Sequence, residues 1–187
     1  MEPDERSEKV LRFEEHVLAY LSDIYRAALR LTGQAADAED LVQETCLRAF
    51  RSLEQLRNPG AARAWLFAIL RSVFLRQVER EPRGRARLSL DDIDGSLLTA
   101  SEVLHDAYER VLPPEQLLRQ EARQAILRLP LPYREAIILA HIGGFSYREI
   151  ARLLAIPTGT VMSRLFRGRR LLRTYLGQSP SHLESSR

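Results

Sequence analysis

Apolar residues recur at intervals of three and four along most of the chain, the spacing of helices with one buried face. Val10, Phe13, Val17, Leu21, Ile24, Ala28 and Leu31 fall on a single stripe, and Gly33 supplies a stop. A second helix begins among Asp37, Glu39 and Asp40, where the positive end of the helix dipole favours carboxylates. Its stripe runs through Leu41/Val42, Thr45/Cys46, Ala49/Phe50 and Leu53, and Asn58-Pro59-Gly60 then breaks the chain. A third helix is predicted from about Ala62 to Glu79, with Trp65, Leu66, Ile69, Leu70 and Val73 on one side and Trp65 as the core anchor. Periodicity resumes at Glu115 with Leu117, Leu118, Ala122, Ala125, Ile126 and Leu129, punctuated by Pro130 and Pro132. A helix from Tyr133 to Ile142 closes at Gly143-Gly144, and two more run to about Leu176. No strand-like alternation or fixed-period repeat interrupts this pattern. The expected fold class is all-α: two small helical domains joined by a flexible acidic linker.

Charge sharpens the division. The net charge of +3 over 187 residues conceals four blocks. Residues 1–56 carry net −5, residues 57–87 net +6, residues 88–121 net −6 and residues 122–187 net +8. Two basic blocks separated by an acidic one predict two surfaces for a polyanion, held apart by a segment that avoids it. All basic residues but Lys9 are arginine, a bias that base composition alone can produce, so the blocks carry the inference. No apolar run approaches the roughly 20 residues of a membrane span, and the acidic N-terminus does not resemble a secretory signal. A single cysteine excludes an intrachain disulfide and any Cys-rich metal cage. His16, His105, His141 and His182 have no ligand spacing, and neither a phosphate-binding glycine loop nor a nucleophilic triad is present. The expectation is a cytoplasmic protein that is not an enzyme and carries no cofactor or metal.

The strongest local pattern lies between Phe145 and Leu172. Ser146 and Glu149 have capping-box spacing, and Ile150, Ala151, Leu153 and Leu154 supply a buried face. Ala155-Ile156-Pro157 forms the turn, with Thr158 placed as N-cap of the next helix and Thr160 in its first turn. On that helix Val161, Leu165 and Leu172 point inward, while Ser163, Phe166, Arg167 and Arg170 lie on another stripe. Hydroxyls and guanidinium groups suit base edges and phosphates, and an aromatic ring suits thymine methyls. The pattern is that of a DNA-reading helix-turn-helix.

The stretch from Phe145 to Arg169, preceded by Leu127 to Ala136, resembles domain four of the extracytoplasmic-function sigma factors, within the bacterial sigma-70 family. Asp37 to Phe50 resembles the domain-two helix of that family which docks on the β′ clamp helices of RNA polymerase. Ala64 to Arg71 resembles the helix facing the melted −10 element. The resemblance implies an N-terminal extension over 1–9, domain two over 10–82, a linker over 83–116, domain four over 117–176 and a disordered tail over 177–187. It implies a core-polymerase contact by Asp40, Leu41, Gln43, Glu44 and Arg48, although Leu41 fits a core position equally well. A −10 DNA surface would comprise Asn58, Gly60, Arg63, Arg71, Ser72, Arg76 and Arg80, where the 56–63 loop either holds a flipped base or is an ordinary turn. The −35 surface would comprise Thr158, Thr160, Ser163, Arg164, Phe166, Arg167 and Arg170.

Implied partners are core polymerase, through the β′ clamp helices and β flap, promoter DNA and a cognate anti-sigma factor able to hold the protein at the inner membrane face. The acidic linker either threads toward the RNA-exit channel or merely spaces the domains. Four positions depart from the family: Ser72 stands where Asn is frequent, Arg76 where Asp is, Met162 where Lys or Arg is, and Cys46 in place of an aromatic. Two other classes fit parts of the chain. A helix-turn-helix repressor or activator would bind duplex DNA without polymerase, and a helical adaptor would leave the basic blocks without a purpose.

Overall fold

A computed structural model describes residues 5–80 and 120–177, all helix, turn or short connection with no strand. The chain divides into two compact units, one within 1–82 and one within 83–187. The linker, and the tail beyond Gly177, lie outside the described residues.

The first unit holds α1 (Glu5–Val17), a 3-10 turn over Leu18–Tyr20, α2 (Leu21–Thr32), α3 (Ala35–Arg51) and α4 (Ala62–Arg80). The stripe from Val10 to Leu31 is therefore two helices joined by the 3-10 turn rather than one. The backbone leaves helical geometry at Tyr20 (φ −107°, ψ 4°), and this rotates Val10 and Leu21 out to solvent while Val17, Ile24, Ala28 and Leu31 stay buried. Gly33 caps α2 at φ 84°, and its N–H donates to the Leu29 carbonyl at 3.0 Å. Ala27 and Ala28 of α2, and Ala38 and Ala49 of α3, are completely buried; small side chains let these helices approach closely. α1 starts within the stretch read as an extension. Lys9 there pairs with Glu54 and lies 5.4 Å above the Phe50 ring, and Phe13 meets Phe50 edge-on with centroids 5.3 Å apart.

α4 departs most from expectation. Its fully buried side chains include Leu66, Phe67, Leu70, Val73 and Phe74, whereas Trp65 and Ile69 are only partly covered. The core anchors of this helix are the two phenylalanines, not Trp65. α4 packs against α1, α2 and α3, so it buries a wide face, and that face centres away from the tryptophan.

The second unit holds α5 (Gln120–Arg128), α6 (Leu131–His141), α7 (Tyr147–Leu154) and α8 (Thr158–Gly177). Arg134 of α6 reaches across the Pro130 turn and donates to the carbonyls of Leu127 and Leu129, the latter at 3.0 Å. It thereby satisfies acceptors that the end of α5 leaves open. α6 crosses α8 at Gly168, where a Cβ would stand 3.2 Å from Ile137 and 3.3 Å from Tyr133. Ser146 and Glu149 form the capping box: the Ser146 N–H donates to the Glu149 carboxylate at 2.8 Å, and the Glu149 N–H donates to Ser146 Oγ at 3.4 Å.

Ala155 ends α7 in the left-handed region (φ 54°), the one non-glycine among the described residues to do so. That conformation costs a side-chain-bearing residue about 1–2 kcal/mol. After the extra chain entropy of glycine is subtracted, Ala155→Gly should stabilise the unit by about 0.5–1 kcal/mol, read as a rise in denaturation midpoint at constant m. An unchanged or lowered midpoint refutes this.

His141, at the end of α6, has its pKa pushed down to about 4, first by burial and then by the nearby Arg169 guanidinium. The folded unit keeps this imidazole neutral while the unfolded chain protonates it near 6.5. Its contribution is therefore complete above pH 6.5 and declines as pH falls toward 4, by roughly 3 kcal/mol in all. His141→Gln should flatten the dependence of stability on pH in that window; a slope as steep as that of the parent would contradict it.

Candidate polymerase and nucleic-acid interfaces

In the first unit two faces stand out. On α3 the outward stripe is Asp40, Gln43, Leu47 and Arg51, all exposed, flanked by an ion pair in which Arg48 Nε meets Glu44 Oε1 at 2.5 Å. Leu41 is completely buried. Its side chain belongs to the core, and the reading of Leu41 as a docking contact is corrected accordingly. The apolar group on that face is Leu47, 51% exposed, which sequence reasoning missed. Its signal was present at Asp40, Gln43 and Leu47, spaced three and four residues apart, but such a leucine looks like a core residue until its neighbours are placed. Cys46 is half-buried, and burial pushes its thiol pKa up, the setting of an unreactive small side chain.

The second face is the loop before α4. Arg57 to Ala61 are all exposed. Asn58 Oδ1 accepts from the Gly60 N–H at 2.9 Å, and the Asn58 carbonyl accepts from the Ala61 N–H at 2.9 Å, closing a 3-10 turn over Pro59–Ala61. The amide oxygen of Asn58 is thus engaged locally. A Cβ on Gly60 would come within 3.3 Å of that oxygen, so glycine suits the turn.

Arg63 does not extend toward solvent as a free phosphate ligand. It donates to Asp23 Oδ2 at 2.6 Å, and Arg26 binds the other oxygen of the same carboxylate. In the unbound chain it thus ties α2 to the start of α4. Ser72, Arg76 and Arg80 repeat at intervals of four on the exposed side of α4, and Arg71 is half-buried beside them.

In the second unit α8 buries Val161, Leu165, Gly168 and Leu172. Away from that stripe lie Gly159, Met162 and Arg170, which are exposed, and Ser163, Arg164, Phe166 and Arg167, which are half-buried. Thr158 is the first helical residue rather than the N-cap: the Pro157 carbonyl accepts from the N–H groups of Thr160 at 3.0 Å and Val161 at 3.2 Å. Ser163 Oγ donates to the Thr160 carbonyl at 3.0 Å, so its hydroxyl proton is in use and its lone pairs can accept from a base. Among the described residues no group of three or more His, Cys, Asp or Glu could hold a metal, and no helix is long and apolar enough to cross a membrane.

Fold and faces together define a helical protein of two modules, one of them a helix-turn-helix whose second helix is rich in arginine. Comparison with known proteins gives the family. Residues 16–84 match Sigma-70 region 2, and residues 119–172 match Sigma-70 region 4. The chain is 38% identical over 183 residues to the ECF RNA polymerase sigma factor SigE of Mycolicibacterium smegmatis, covering 93% of this chain and 65% of that relative. It is 34% identical to the ECF RNA polymerase sigma factor EcfG of Rhodopseudomonas palustris, covering 87% and 83% respectively. Among solved structures it resembles the sigma factor RpoE in complex with the anti-sigma factor NepR from Bartonella quintana, with TM-score 0.66, 31% identity and coverage of 89% and 98%. The chain belongs to the ECF sigma factors of the sigma-70 family, which are transcription initiation factors and not enzymes.

Proposed function

We propose that the chain docks on core RNA polymerase through the outward face of α3, engages the −10 element with the 57–61 loop and α4, and reads a −35 element with α8. The observation that carries this reading is the pairing of an exposed apolar residue within a polar stripe on α3 with an arginine-flanked reading helix in the second unit. Apolar burial within a polar rim is the anatomy of a protein interface. Hydroxyl, aromatic and guanidinium groups on one helix face suit the major groove. Asp40, Gln43, Leu47 and the Glu44–Arg48 pair would touch the β′ clamp helices, and the second unit the β flap. Asn58 and Gly60 would receive an unstacked base while Arg71, Ser72, Arg76 and Arg80 follow the strand; unstacking costs a few kcal/mol, which several such contacts can offset.

An anti-sigma factor is the natural regulator, since the related RpoE is held in such a complex. A membrane-bound partner of this kind would place the chain at the inner face of the membrane.

The test is transcription in vitro from promoter fragments by core polymerase, with and without the chain. Open complexes that require the chain support the proposal; duplex binding without initiation means a repressor. Arg167→Ala should weaken −35 selection about 10-fold or more while leaving core binding intact, given 1–3 kcal/mol for a lost base contact. Equal promoter use by variant and parent counts against that role.

A further inference from the structure

Arginine to guanine is the commonest specific contact between a side chain and a base, yet the one exposed side chain among residues 158–167, Met162, is uncharged. A reading helix meets base edges with its N-terminal residues. There this chain presents Met162 and Ser163, followed by Arg164, Phe166 and Arg167, which are covered to the same intermediate degree as Ser163. Met162 is 36% exposed, the one exposed large hydrophobic side chain among the described residues of the second unit. It sits at four-residue spacing from Phe166, so the two side chains neighbour each other on the helix surface.

We propose that Met162 and Phe166 grip the 5-methyl groups of thymine in the major groove, so that methyl contact at the tip of α8 adds to what the arginines read in selecting the −35 bases. The occupant follows from the surroundings. An apolar group flanked by guanidinium groups, within a segment of net charge +8, fits a polyanion that carries an apolar feature. On the major-groove edges of DNA the thymine methyl is that feature. A thioether on an unbranched, polarizable chain adapts its shape to such a group, while Ser163 beside it accepts from an adenine or cytosine amine.

The inference rests on the proposed function, and the experiment separates the two. Reconstituted holoenzyme containing the full chain selects duplexes from a library randomised across the −35 region. The selected duplex is then resynthesised with uracil in place of thymine, one position at a time. Removing a methyl from a closed apolar contact should weaken binding about fourfold. With Met162→Ala one of those positions should lose its sensitivity to uracil, while a position under Phe166 keeps it. Met162 is exposed, so this variant folds as the parent does. Met162→Arg should move the preference at the same position toward guanine and steepen the salt dependence by about one phosphate or base cation. Selected duplexes without thymine in the −35 region, or identical uracil sensitivity in parent and Met162→Ala, overturn the inference and leave initiation intact. Failure of the holoenzyme to select any duplex overturns the initiation reading and this one with it.

Discussion

Leu47→Asp should release the chain from core polymerase while leaving its fold intact. Leu47 is half exposed on α3 between Gln43 and Arg51, so the unbound protein does not depend on it for packing. On the proposed interface the same side chain is the apolar centre of a polar stripe. Truncating a central anchor commonly costs 2 kcal/mol or more, roughly 30-fold in Kd, and a buried carboxylate adds its own desolvation cost. Competition binding to core polymerase, with a thermal melt as control, measures both halves of this expectation. Parent-like affinity in Leu47→Asp would move the docking face elsewhere. A lowered melting temperature would mean that Leu47 is structural.

Gly143→Ala should cost the second unit about 3 kcal/mol, at the upper end of overpacking by a single methyl. A Cβ at this position would lie 2.5 Å and 2.6 Å from the Phe145 ring and 2.7 Å from the Leu139 carbonyl oxygen. The ring is buried, and the carbonyl accepts from the Phe145 N–H at 3.2 Å, so neither can give way without breaking the turn between α6 and α7. The Gly143 N–H donates to the Ile138 carbonyl at 3.0 Å, closing the end of α6 in the same place. Total stabilities of small domains are about 5–15 kcal/mol, so this one methyl removes a large part of the margin and disturbs the seat of the helix-turn-helix. Denaturant titration measures it. A loss below about 1 kcal/mol would show that the turn relaxes more freely than its hydrogen bonds imply.

Residues with strong local chemistry were legible in advance. Ser146 and Glu149 cap α7 at the predicted spacing, Gly33 ends α2 with positive φ, and Val161, Leu165 and Leu172 face inward on α8. Each follows from interactions within a few residues of the chain. α4 was harder to read because apolar side chains surround it: Trp65, Leu66, Phe67, Ile69, Leu70, Val73, Phe74 and Leu75 leave no single face favoured. The N-cap of α8 was misplaced by one residue, since the Pro157 carbonyl, not Thr158, starts the hydrogen-bond ladder.

The candidate interfaces divide in the same way. That Ser163, Phe166 and Arg170 lie away from the buried stripe follows from helical geometry alone. That Leu41 is core while Leu47 is surface does not, because both belong to one helix and both are leucine; the helices packed on α3 decide between them. Arg63 shows the same limit at longer range. Its partner Asp23 is 40 residues away, and no local pattern distinguishes an arginine that ties two helices from one that waits for a phosphate.

Periodicity, capping spacing and the alternation of charge blocks thus determined, without coordinates, that this is a two-part helical protein with a helix-turn-helix in its second half. Those features are short-range, and the energy that makes them is spent within one or two turns. Tertiary structure alone decided which side of α4 is buried, which leucine of α3 faces out, and which arginine is already engaged. Burial and ion pairing depend on groups brought together from distant parts of the chain, and only the packed fold specifies those neighbours.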